Sequence, residues 1–301
     1  HSAPYGSMIP SMENRLIRLF CSLCACLACL TSPATMLYEF RDADGRGGWL
    51  FGTFHFGDPR MAALSDEIEA RIAASGVVRT ELDMEQELLG LDPAALTLPE
   101  EQMLADVLPA EVLAAFQTEV AARYPDVPFF IFAKMRVWVA TLTFETLEMG
   151  MQPLPGVDQL VWDFARSGGS DLAGLETLEE QMDAFGSFSL EDQIVMLRDT
   201  LRSSREARLD PEGIDPVTAA TKAYLTQEPY RLRELFSDIL PDHPEVRARF
   251  IDALLTRRDQ RMAVRIDKLA QNHPDTDLFI AVGAAHLDPD SGPKRPDFYH
   301  R

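Results

Sequence analysis

The chain has 301 residues, 46% of them hydrophobic, enough to bury a substantial core in one large domain or two smaller ones. Its formal charge of -20 and pI near 4.6 would repel a phosphate backbone or an anionic bilayer, which disfavours nucleic acid as a partner and suits cation binding or plain solubility. All four cysteines, Cys21, Cys24, Cys26 and Cys29, fall in one apolar run near the start, so the rest of the chain has no thiol for catalysis or disulfides.

In chain order, HSAPYGS (residues 1–7) reads as an expression-tag remnant. Residues 8–34 read as a signal peptide: Arg15 and Arg18 precede the 12-residue run Leu19 to Leu30, which is too short to span a bilayer, and Ser32-Pro33-Ala34 offers a cleavage site. The expected destination is periplasmic or extracellular, with the membrane reached only through that signal or through a lipid anchor at Cys26 or Cys29. Residues 35–301 are expected to form a single domain.

The stretch MLYEFRDADGRGGWLFGTFHFGD predicts two strands joined by turn residues Asp42 to Gly48, the second ending on Gly52 and His55. A helix over Ser65 to Ser75 with a serine N-cap, then the strand GVVRTELDM carrying Glu81, completes strand, helix, strand, the pattern of an α/β fold with a parallel pair. From about residue 98 to 272 the periodicity is helical. Helices are expected over the segment opened by Pro109, over Phe129 to Met149, Gly156 to Arg166, Thr177 to Phe185, Leu190 to Arg208, Pro216 to Thr226, Tyr230 to Ile239 and Pro244 to Gln271, with a short strand at Asp171 to Leu175. In Phe129 to Met149, Lys134, Arg136, Glu145 and Glu148 argue for a buried helix rather than a membrane span.

Arg258 interrupts the apolar stripe Leu255, Met262, Ile266, Leu269 of the last helix. It reads either as a side chain snorkelling at the stripe's edge or as a guanidinium delivered into a site. The strand TDLFIAVGAAHLD follows, ending on Gly283 and His286. Its G-x-x-H repeats that of Gly52 to His55 at a distance of 231 positions. The fold class expected is therefore α/β: a central mixed sheet carrying two G-x-x-H strands, with a large mostly helical insertion between them. Two histidines and Glu81 at strand ends can ligate a metal or carry acid/base chemistry. Gly52 and Gly283, lacking Cβ, would let a backbone or substrate approach. Asp58 and Asp83 are weaker ligand candidates, and His243 and His273 fall at helix boundaries.

G-T-F-H with F-G-D-P-R (Phe56 to Arg60), R-T-E-L-D (Arg79 to Asp83), G-V-D-Q-L (Gly156 to Leu160), G-L-E-T-L-E-E-Q-M (Gly174 to Met182), R-R-D-Q-R-M-A (Arg257 to Ala263) and A-V-G-A-A-H-L (Ala281 to Leu287) together resemble the TraB/PrgY/GumN family. That family includes the Tiki proteases and is distantly related in fold to erythromycin esterase and ChaN-like proteins. The resemblance implies two facing G-x-x-H strands and, as in Tiki members, metal-dependent peptide-bond hydrolysis. It carries the family's site onto His55, Glu81, Arg258 and His286, with a divalent metal (manganese, cobalt or zinc) on His55, Glu81 and His286 and a peptide or protein substrate. Two alternatives follow from the same resemblance: a metal-free esterase-like hydrolase, and a non-catalytic protein sequestering a peptide or haem. Asp259 stands where an asparagine commonly follows the family's arginine. DPDSGPKRPDFYHR stands where the family continues with a helix and a final strand, which implies a sheet edge left open or filled by another chain.

Overall fold

The computed structural model describes residues 36–287 except 43, 86–91, 149–153, 211–215, 229, 230, 233 and 236–239. The tag remnant, the signal segment with its cysteines, most of the helix expected over Tyr230–Ile239, and the tail after Leu287 lie outside the described residues.

A five-stranded mixed sheet organises the chain in the order β1-β2-β5-β3-β4. β1 (Leu37–Arg41) pairs antiparallel with β2 (Gly47–Thr53) through the expected hairpin; β5 (Leu278–Gly283) then lies parallel to both β2 and β3 (Val77–Thr80), and β4 (Asp171–Gly174) closes the far edge parallel to β3. β5 is buried at every position, which is why LFIAVG reads as an unbroken apolar run: a central parallel strand has no wet face. Gly52 pairs with Val282 and Thr53 with Gly283, so the two G-x-x-H motifs run side by side, offset by one residue.

Both faces of the sheet are covered. On one, α1 (Asp66–Ala74), α4 (Val157–Gly168) and α7 (Pro216–Leu225) bury Ile68, Ile72, Val161, Ala165 and Tyr224 against Phe51, Val78 and Phe279. On the other, α9 (Arg257–Asn272) packs Met262 and Ala270 on Val77, Leu278, Ile280 and Val282. Each fully buried side chain of this kind contributes roughly 1.5–3 kcal/mol relative to exposure. The predicted serine cap holds, the Ser65 hydroxyl accepting from the Ile68 N–H of α1, and Gly169, with φ of 74°, ends α4 in the left-handed conformation.

The helical insertion has its own core, where α2 (Ala110–Arg123), α3 (Val137–Glu148) and α6 (Leu190–Leu209) gather Val112, Phe116, Val120, Phe144, Leu197 and Leu201. Buried carboxylates there are paired: Glu119 takes a two-pronged contact from Arg208 (3.1 and 2.8 Å), and Asp192 one from Arg249 of α8 (Pro244–Ile251; 2.9 and 2.7 Å).

Two expected helices are corrected. Phe129 to Met149 is not one helix: a 3-10 turn at Phe129–Phe132 is separated from α3 by a bend whose Lys134 ammonium donates to the Pro99 and Gln102 carbonyls at 3.3 and 2.8 Å. A tertiary contact there outweighs local helix propensity. The Pro244 to Gln271 helix contains a π-helical segment, Asp252–Thr256, immediately before α9. Among the described residues no helix is long and apolar enough to cross a membrane.

Candidate functional site

The carboxyl ends of the parallel strands converge, as binding sites in α/β sheets require. Glu81 follows β3 directly, His55 lies two residues past β2, and His286 sits in the 3-10 turn Ala284–Leu287 after β5. The β3–β4 ladder continues beyond the regular strands: Leu175 N–H donates to Thr80 O at 2.7 Å and Glu176 N–H to Glu81 O at 2.8 Å. This sets two acidic residues, Glu81 and Glu176, side by side.

Glu81 is 7% exposed, and both of its carboxylate oxygens are engaged. Oε2 accepts from Arg258 Nη2 at 2.7 Å and from Gln181 Nε2, on α5 (Leu178–Gly186), at 3.4 Å. Oε1 accepts from the backbone N–H of Gly283 and lies 3.7 Å from His286 Nε2. Burial pushes this carboxyl up, but the charges of His286, His55 and Arg258 and the Gly283 N–H outweigh it and hold the group at about 2.

Each histidine is oriented by its own carboxylate. His286, 6% exposed at its side chain, bonds Asp259 Oδ1 through Nδ1 at 2.6 Å, and His55 Nδ1 lies 3.2 Å from Asp158 Oδ2. Asp158 reaches His55 because the start of α4 docks on the end of β2, Val157 N–H donating to Phe54 O at 2.8 Å. The His55 side chain keeps 53% of its area open. Burial of its inner edge pushes the imidazolium down, but the Asp158 hydrogen bond and the charges of Asp158 and Glu81 raise it to about 9.

Gly283 makes room for this convergence. A Cβ there would stand 2.9 Å from Glu81 Oε1 and 3.2 Å from His55 Nε2, so only glycine lets the carboxylate and the imidazole come this close to the strand. Gly52 serves a different purpose. Its Cβ would meet Leu287 Cδ1 at 2.7 Å and Met36 Cβ at 3.0 Å, so it lets the turn carrying His286 pack onto β2.

Arg258, 8% exposed, is not snorkelling. Its guanidinium bridges Glu81 and Glu176, with Nε to Glu176 Oε2 at 2.8 Å, and Nη1 reaches back to Leu254 O at 3.2 Å. Burial pushes it down, and the two carboxylates raise it above the ordinary arginine value. The π-helical segment ends two residues earlier, at Thr256, and such segments recur at functional sites. On α9, Arg258 and Arg261 then share Glu176, while Asp259 takes His286.

His55, Glu81, Arg258 and His286 are thus brought together. Asp58 and Asp83 are not part of the cluster: Asp58 caps the 3-10 turn Pro59–Met61 and pairs with Arg60, and Asp83 accepts from Glu85 N–H at 2.9 Å. His243 and His273 flank α8 and α9 as expected. Sequence reasoning missed Glu176, Asp158 and Gln181 as members of the cluster. Glu176 had a faint signal: like Glu81, it is an acid within two residues of the end of a short strand.

The donor chemistry fits a divalent cation. Two imidazoles have Nδ1 atoms tied to carboxylates, and Glu81 lies 3.7 Å from the Nε2 of His286, as in the carboxylate–histidine part of carboxylate–histidine–metal sites. Among the described residues no group of three or more His, Cys, Asp or Glu is arranged to hold a metal ion as it stands.

The family model described as TraB/PrgY/gumN family matches residues 36–293. Metalloprotease TIKI2 of Danio rerio is 23% identical over 283 residues, 79% of this chain and 54% of the relative. Metalloprotease TIKI1 of Homo sapiens is 23% identical over 286 residues, 79% of this chain and 55% of the relative. The chain spans about half the length of these curated relatives. No solved structure matches it.

Proposed function

The chain belongs to the TraB/PrgY/gumN family, and on that premise we propose that it is a metal-dependent hydrolase that cleaves peptide bonds in a peptide or protein substrate. His55, Glu81 and His286 would hold the cation. The observation that carries this reading is the pair of carboxylate-anchored imidazoles gathered with one buried carboxylate around Gly283, where a Cβ would crowd both Glu81 and His55. Manganese, cobalt and zinc all suit such a nitrogen and oxygen donor set. When bound, the cation supplies a Lewis acid for the scissile carbonyl and lowers the pKa of water.

The chain's own groups do the rest. Asp259 and Asp158 keep the protons of His286 and His55 on Nδ1, so that the Nε2 atoms present lone pairs. Arg258 can donate to a tetrahedral oxyanion or to a substrate carboxylate; removal of one such donor costs about 10²–10³ in rate in a comparable hydrolase. Without a cation, a pKa of about 9 leaves His55 protonated at neutral pH, which favours donation to a leaving amine over abstraction from water. That counts against His55 as the general base of a metal-free hydrolase.

The proposal includes export of residues 35–301 as one domain after cleavage of the segment 8–34, checked by mass spectrometry of the secreted N-terminus. For the activity itself, a peptide library is assayed before and after chelation, with manganese, cobalt and zinc added back separately. Cleavage that stops in chelator and returns with one cation supports the reading; cleavage unchanged in chelator sinks it.

A further inference from the structure

Glu176 is a carboxylate with no exposed side-chain area, close to the site yet touching neither histidine in any hydrogen bond or ion pair recorded for it. A fully buried carboxylate is tolerated only when it is well paired. Here Oε2 accepts from Arg258 Nε and Oε1 from Arg261 Nη2, both at 2.8 Å, two arginines three residues apart on one helix. The backbone of Glu176 is itself pinned, by its N–H to Glu81 O.

From the side of Arg258, two attachments do not involve Glu81: Nε to Glu176 and Nη1 to Leu254 O. From the side of Glu81, three partners other than Arg258 remain: the Gly283 N–H, Gln181 at 3.4 Å and His286 Nε2 at 3.7 Å. The bond between Arg258 Nη2 and Glu81 Oε2 can thus open with each partner still held by other groups. It is also the link that must open if Glu81 is to turn Oε2 toward a cation.

We propose that Glu176 is a positioning residue: Glu176, and not Glu81, anchors Arg258, so that Glu81 can exchange the guanidinium for a cation while Arg258 stays aimed at the site as a donor to substrate. The exchange rests on the reading that Glu81 is a ligand; the anchoring does not.

The anchoring is tested without any metal, on protein labelled with 15N-arginine. The Arg258 Nε–Hε resonance is identified by its loss in Arg258→Lys. It is expected to exchange slowly with solvent in the unsubstituted chain, to persist in Glu81→Gln, and to exchange at least tenfold faster in Glu176→Gln. Persistence in Glu176→Gln with loss in Glu81→Gln overturns the anchoring. Should Glu176→Gln fail to fold, the Glu81→Gln arm decides alone, retention supporting the anchoring and loss overturning it.

The exchange is tested by calorimetric titration with Zn²⁺. With its anchor gone, Arg258 should cling to Glu81, so Glu176→Gln is expected to bind zinc about tenfold more weakly. The double variant Glu176→Gln with Arg258→Gln should recover at least the original affinity, because the competing guanidinium has been removed. Simple addition of the two losses overturns the exchange. Absence of zinc binding in every protein overturns the cation site and the exchange with it, while the resonance arm still decides the anchoring.

Discussion

Asp259 Oδ1 and His286 Nδ1 lie 2.6 Å apart, joining the first turn of α9 to the turn after β5. The bond fixes which ring nitrogen carries the proton and so which one faces Glu81. Asp259→Ala is expected to weaken divalent-cation affinity about 10–100-fold, the usual cost of losing the outer partner of a metal-binding histidine. Asp259→Asn, whose amide oxygen can still accept from Nδ1–H, should lose less. Titration calorimetry with manganese or zinc on both variants gives the order.

His55 gives the cation-free protein an alkaline dependence. Its folded pKa of about 9 lies above the ordinary 6.5, so the folded state binds the proton more tightly. The stabilisation is complete below about 6.5 and lost as pH rises through about 9. Melting temperature should therefore fall between those values, by an amount limited by the ring's exposure. Asp158→Asn should flatten the fall and move the His55 ring resonance titration to lower pH.

Gly283→Ala and Gly52→Ala should separate site from scaffold. A methyl on Gly283 would crowd Glu81 and His55 and push them apart, so turnover and cation affinity should both drop at least tenfold. A methyl on Gly52 crowds Leu287 and Met36, an overpacking that costs about 1–3 kcal/mol. At roughly 2–4 °C per kcal/mol this is read as a lower melting temperature. Equal loss of cation affinity in the two variants would contradict the assignment.

Phe116 is fully buried among Phe129, Phe132 and Phe144, with ring centroids 5.1, 4.8 and 5.5 Å away. Phe116→Ala should cost about 3–5 kcal/mol through the cavity it leaves, measured by urea denaturation.

Much of this site was legible in the sequence because its parts break local patterns. A histidine ending an apolar strand, and an arginine inside an apolar stripe, each contradict their surroundings, so His55, His286 and Arg258 stood out. Asp158 did not, since an acid in a helix's first turn is what the macrodipole favours anyway. Glu176 follows a strand of only four residues, too short for alternation to mark which side chains turn inward. The π-helical segment was invisible for another reason: the pattern of apolar residues is compatible with a plain helix, and the extra residue in the turn shows only in the backbone, where Arg257 N–H donates to Asp252 O.

The position of β5 in the sheet has a consequence for synthesis. It is the last strand of the described chain, yet it fills the middle of the sheet, between β2 and β3. Until residue 283 leaves the ribosome those two strands have no neighbour on their inner edges, and nearly everything between them must be made while the gap stays open. Pairings of such long sequence separation are slow, and unpaired strand edges invite association with other chains. The nascent polypeptide thus carries an aggregation hazard until β5 emerges, and the insertion of one six-residue strand ends that hazard and assembles the reactive cluster in the same event.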